Sequence, residues 1–82
     1  MEMISDIRNI LKEHGRLASD ATTLADDADL YQAGMTSHAS VNVMLALEAQ
    51  FDVEFPDSML KRGVFSSIAT IREALETLTQ GR

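Results

Sequence analysis

The sequence predicts an all-α protein: a small antiparallel four-helix bundle, with three longer helices, one short helix and a long loop between the first and second. Three observations carry that expectation. Apolar residues recur three and four positions apart near both ends of the chain. A middle segment rich in alanine and leucine runs without glycine or proline, and 82 residues leave room for one domain with one modest core. The hydrophobic fraction of 45% is ordinary for a folded chain, so disorder is not expected.

The first helix is predicted from Met3, Ile4, Ile7, Ile10 and Leu11, which share one face, and its stop signal is Gly15 after His14. Residues 16–36 show no sustained periodicity and carry Asp20, Asp26, Asp27 and Asp29. They are expected to form a long loop with a short turn at Leu30-Tyr31, pinned to the core by Leu24, Leu30 and Tyr31. A second helix is predicted from Ser37 to about Phe51. Pro56 then disfavours a helical Phe55, and Asp57 to Gly63 suits a short third helix ending at the glycine. Ser66 or Ser67 can cap a fourth helix, on which Ile68, Ile71, Leu75 and Leu78 repeat at helical spacing. There is no internal repeat, low-complexity tract or linker, so residues 1–82 are expected to be a single domain.

Charge and composition exclude several function classes. Thirteen acids against seven bases give a net charge of −6, which disfavours nucleic acid and anionic membranes and favours a basic partner surface. No stretch approaches the roughly 18 apolar residues of a membrane helix, and MEMISDIRNI lacks the pattern of a signal peptide; a cytoplasmic, monomeric protein is expected. Cysteine is absent, so any thiol chemistry must use an imported thiol. His14 and His38 fall on different predicted elements, and neither a paired-histidine motif nor a glycine-rich phosphate loop is present. Asp26, Asp27 and Asp29 do not follow the calcium-loop pattern. Neither a metal site nor an independent enzyme is expected, and the carboxylates read as solvated charge.

The second helix carries two apolar stripes. Val43, Met44, Leu47 and Phe51 share the side that would bury, whereas His38, Val41, Leu45 and Glu48 form a second stripe rotated away from it. One bundle cannot easily bury both. The second stripe is therefore a candidate partner surface, with scattered surface apolar residues as the plain alternative. Before it stands Gly34-Met35-Thr36-Ser37. On spacing alone Thr36 or Ser37 is simply a helix cap. Its location after a glycine, at an exposed chain reversal where a helix dipole favours phosphate, makes the Ser37 hydroxyl a candidate attachment point as well.

Leu30-Tyr31-Gln32-Ala33-Gly34-Met35-Thr36-Ser37, then Val41, Val43, Leu47, Glu48 and Phe51, then Asp52-Val53-Glu54-Phe55-Pro56-Asp57, resembles the acyl and peptidyl carrier protein family. The resemblance spans almost the whole chain and is strongest from Asp29 to Asp57. It implies a four-helix bundle with a long first loop and a 4'-phosphopantetheine arm, taken from coenzyme A, on Ser37. The arm's thiol would hold the cargo as a thioester. It also implies a phosphopantetheinyl transferase, a loading ligase and a downstream acceptor enzyme as partners, with Thr36, His38, Val41, Leu45 and Glu48 as the face they would meet. A protein that ferries a reactive thioester gains from having no cysteine of its own.

Two neighbours of the serine depart from the usual Asp-Ser-Leu of the family: here they are Thr36 and His38. The resemblance implies several acids along the second helix in fatty acid carriers. Here Asn42, Ala49 and Gln50 stand at places that could have been acidic, leaving Glu48, with Asp52 and Glu54 beyond, and the negative charge gathers instead at Asp26, Asp27 and Asp29. The Thr-Ser-His variant is similar to stand-alone bacterial carriers loaded with small amino acids by ligases related to class II aminoacyl-tRNA synthetases. That points to a dedicated aminoacyl carrier. A specialised acyl carrier of fatty acid, polyketide or non-ribosomal peptide pathways is the nearer alternative, and a small adaptor without prosthetic group the more distant one.

Overall fold

The structure, a computed structural model, describes residues 3–18 and 20–80. Among these, three α-helices and two short turns of 3-10 helix occur, and no strand. Helix α1 spans Met3–His14, α2 Ser37–Phe51 and α3 Ile68–Thr79. The predicted boundaries hold for all three. Helix α1 packs against both α2 and α3.

The predicted core faces are the ones that turn inward, although Met3, Ile4, Met44 and Leu78 on them are only partly buried. Ile7, Ile10 and Leu11 of α1 meet Ala39, Val43, Leu47 and Phe51 of α2 and Ile68, Ile71, Ala74 and Leu75 of α3. Each large aliphatic side chain so buried contributes about 1.5–3 kcal/mol relative to exposure. Gly15 ends α1 by closeness: its N–H donates to the Leu11 carbonyl at 2.8 Å, where a Cβ would lie 2.8 Å from that oxygen. The left-handed backbone falls one residue later, on Arg16 (φ 54°). Ser67 is the cap of α3, in a reciprocal box with Thr70.

The short helix expected over 57–63 is not formed. Asp57–Met59 and Arg62–Phe65 are instead two separate turns of 3-10 helix, and Gly63 lies inside the second rather than after the first. Seven residues including a glycine cannot offset the cost of nucleating an α-helix. The chain breaks between the turns, with Lys61 in extended backbone, and Phe65 is thereby buried edge-on against Phe55, ring centroids 5.3 Å apart.

The long first connection is stitched to the body. Arg8 Nη1 donates to the carbonyls of Ala21 and Leu24, both at 2.7 Å, and Nη2 to Asp26 Oδ1 at 2.5 Å. Leu30 N–H donates to Ser66 O at 2.7 Å and Ala69 N–H to Asp26 O at 2.9 Å, tying the loop to the start of α3. Leu30 is fully buried, and Leu24 and Tyr31 pack partly against the core, as expected of them.

Candidate functional site

The chain turns sharply just before α2. Asp29 Oδ1 accepts from the N–H groups of Tyr31 and Gln32, at 2.9 and 3.3 Å, and closes a turn over residues 30–34. Gly34 leaves that turn at φ 115°, and a Cβ there would lie 3.0 Å from Ala18 N, so the position demands glycine. Met35 then points into the core and fixes where the helix starts.

Thr36 and Ser37 divide two roles that the spacing left open. Thr36 is the N-cap, its Oγ1 accepting from Ala39 N–H at 3.0 Å. Ser37 is the first helical residue. Its carbonyl accepts from Ser40 Oγ at 2.7 Å, but its own hydroxyl is exposed and makes no hydrogen bond with any described residue. The backbone N–H groups of this first turn, other than that of Ala39, face outward without helical partners, and the helix dipole adds partial positive charge there.

Beside Ser37 runs a groove of about 360 Å³, walled by Val41, Met44, Leu60 and Phe65 and rimmed by Tyr31, Lys61 and Arg62. The Arg62 guanidinium carbon lies 3.8 Å from the centre of the Tyr31 ring. Among the described residues, none that lines this groove is acidic. Lys61, Arg62 and Leu60 were not singled out in the sequence; the one available signal was a pair of adjacent bases in an acidic chain.

The other residues of the predicted face are separated by the fold. Val41 and Leu45 are 50% and 53% exposed, as a second stripe requires, and His38 is exposed. Val41 borders the Ser37 groove, whereas Leu45 borders a different one between α1 and α2, with His14, Asn42 and Ala46. Glu48 is half-buried, and its Oε2 accepts from Phe55 N–H at 2.9 Å.

A small helical domain that presents one uncommitted hydroxyl at a helix start, beside an apolar groove with a basic rim, belongs to the class of carrier domains. The chain is a member of the family described as phosphopantetheine attachment site, whose model matches residues 3–78. It is 45% identical over 80 residues to the aminoacyl carrier protein of Agrobacterium fabrum, taking in 98% of this chain and 96% of that protein. A crystal structure of an engineered Bradyrhizobium japonicum glycine:[carrier protein] ligase complexed with carrier protein from Agrobacterium tumefaciens and ATP contains a similar chain. The TM-score is 0.90 at 45% identity, over 94% of this chain and 100% of that one. The complex of the Bradyrhizobium japonicum ligase with glycylated carrier protein gives a TM-score of 0.75 at 29% identity, over 88% and 96%.

The family's prosthetic group is 4'-phosphopantetheine, and a carrier is a substrate of enzymes rather than a catalyst. The residues present fit such a group: a free hydroxyl, outward amides and two cations suit a phosphodiester, and the apolar walls suit the arm's methyl-bearing segment. No helix among the described residues is long and apolar enough to cross a membrane.

Proposed function

We propose that Ser37 carries the phosphopantetheine arm and that the protein is an aminoacyl carrier, loaded by a dedicated amino acid:carrier protein ligase. The observation that carries this reading is the capping bond of Thr36, which leaves the Ser37 hydroxyl exposed and uncommitted at the edge of the groove. In the attachment step Ser37 Oγ loses its proton and bonds to phosphorus of coenzyme A, and the bond from that phosphorus to the adenosine bisphosphate breaks. A transferase supplies the remaining groups. The arm's terminal thiol then offers the chain a thioester that its own residues could not form.

The names of the relatives support a small amino acid, glycine foremost, as cargo, and a ligase as loading partner. We assign Thr36, His38, Val41, Leu45 and Glu48 to the partner face, on the exposure of Val41 and Leu45. Residues 1–82 act as one carrier domain, with the turns Asp57–Met59 and Arg62–Phe65 standing in place of the bundle's short third helix. Coenzyme A and ATP, both required, put its work in the cytoplasm.

The deciding experiment is intact mass after coexpression with transferases of broad and narrow specificity, followed by incubation with glycine, ATP and the ligase. One arm, lost in Ser37→Ala, and one glycyl group on top of it are expected. A wild-type chain left bare by every transferase, or an arm that survives Ser37→Ala, overturns the assignment.

A further inference from the structure

The side chains of Lys61 and Arg62 make no hydrogen bond or ion pair with any described residue, although the Lys61 carbonyl accepts from Val64 N–H at 3.1 Å. Arg8, by contrast, is committed to Asp26 and two loop carbonyls. Two uncommitted cations converge on the groove that contains Ser37, on a chain of net charge −6. The groove between α1 and α2 carries Glu13 in its lining and, among the described residues, neither lysine nor arginine.

Arg62 is nevertheless placed. It stands over Tyr31 at 3.8 Å, and Tyr31 is fixed in its turn by the bond from its N–H to Asp29 Oδ1. This contact joins the segment after α2 to the turn before it, across the groove where Ser37 lies. A guanidinium held over a ring keeps the N–H donors at its edge for an anion, which suits a phosphate better than a lysine could alone.

We propose that Arg62, positioned by Tyr31 and assisted by Lys61, holds the phosphodiester that joins the arm to Ser37. The inference rests on the attachment of the arm at Ser37. Arg62 is a positioning residue: it fixes the near end of the arm and so sets the direction in which the rest leaves the protein. The same positive rim repels the α-ammonium of an aminoacyl cargo, which keeps the loaded end off the groove floor and within reach of a partner enzyme.

The test uses the full chain bearing one arm, verified by intact mass, as wild type, Arg62→Gln and Arg62→Lys. Phosphorus NMR relaxation reads whether the phosphodiester tumbles with the domain, and the Arg62 side-chain N–H resonance reads contact. In wild type the phosphorus should relax with the domain, and the Arg62 resonance should shift between bare and arm-bearing protein. Arg62→Gln should lower the held population roughly two- to fivefold, the range of an exposed charge pair, with Arg62→Lys between the two. Raising salt well above about 0.1 M should move wild type toward the glutamine variant, a readout that needs no substitution. Equal phosphorus relaxation in wild type and Arg62→Gln, or a wild-type value indifferent to salt, overturns the proposal. A bare wild-type mass defeats the attachment itself, and is distinguished from the other outcomes before any NMR is recorded.

Discussion

Glu48 Oε2 accepts a hydrogen bond from the Phe55 backbone N–H at 2.9 Å, so the residue that ends the second apolar stripe also ties off the helix it stands on. Its main-chain carbonyl accepts from the N–H groups of Asp52 and Val53, the latter at 3.2 Å. Asp52 takes the left-handed conformation, φ 54° and ψ 51°, that such a reversal needs. A carboxylate near a helix C-terminus opposes the dipole, and the bond to Phe55 offsets that. Glu48 thus sets the path of the segment that brings Phe55 and Phe65 into the core and Leu60 to Arg62 to the groove.

Glu48→Ala should lower unfolding stability by about 1–2 kcal/mol, because the Phe55 N–H loses its acceptor, whereas Glu48→Gln keeps an acceptor and should lose less. Urea unfolding of the three proteins measures both. Full stability in Glu48→Ala, with slower loading by the ligase, would assign the side chain to the partner alone.

Arg8 closes the first connection with three hydrogen bonds from one guanidinium. Arg8→Ala should therefore cost about 2–3 kcal/mol, and Arg8→Lys should recover only part, having a point charge in place of a fork. Amide exchange at Leu30 and Ala69, whose N–H groups cross from loop to body, should quicken in step with the loss. Unchanged exchange at both would show that the loop is held without Arg8.

Gly34→Ala should cost about 1–3 kcal/mol, since it places a side chain at φ 115° against Ala18 N. The strain falls two residues before the N-cap, so transfer of the arm to Ser37 should slow as well. Thermal unfolding and the rate of mass gain check the two effects, and a variant with wild-type values in both would remove the argument that this turn needs glycine.

Val41→Asp and Leu45→Asp should leave stability within about 0.5 kcal/mol of wild type, as exposed substitutions do. Loading should nevertheless fall at least severalfold if α2 meets the ligase. The two residues border different grooves, so their effects need not be equal; Val41, beside Ser37, should also alter arm transfer. Unfolding of either variant would make the stripe part of the core, and wild-type loading would move the docking face elsewhere.

The three α-helices were legible because each announces itself locally: Gly15 after a periodic run, Ser67 before another, and an Ala- and Leu-rich stretch between Thr36 and Asp52. Family pattern singles out Ser37 as the proposed attachment point, but which of Thr36 and Ser37 caps the helix was not legible, since either hydroxyl satisfies the same cap rule. The segment 57–63 misled because composition alone does not say whether three or four residues per turn will win over so short a length; the chain forms two turns of 3-10 helix, and Phe65, at the end of the second, is buried. Arg62 was invisible for a different reason. It reaches the site through space, by standing over Tyr31 thirty-one positions earlier, and no local pattern encodes that contact.

Asp20 gives a prediction in pH. The Thr22 N–H, at 2.9 Å, and the Thr22 hydroxyl, at 2.7 Å, donate to its Oδ1, and Lys12 adds attraction; against slight desolvation they hold the carboxyl below its ordinary value. A carboxyl whose folded pKa is depressed contributes stability that is present above its unfolded pKa and is lost as pH falls through the folded one. The group is fully exposed, so its titration midpoint is the quantity to read. Carboxyl-carbon NMR should place Asp20 lower in the folded protein than in the urea-unfolded chain. Thr22→Val removes the hydroxyl and keeps the backbone donor, the larger cause, so the midpoint should rise only part of the way back. A folded midpoint equal to the unfolded one would mean that the Asp20 carboxylate does not hold the two Thr22 donors in solution.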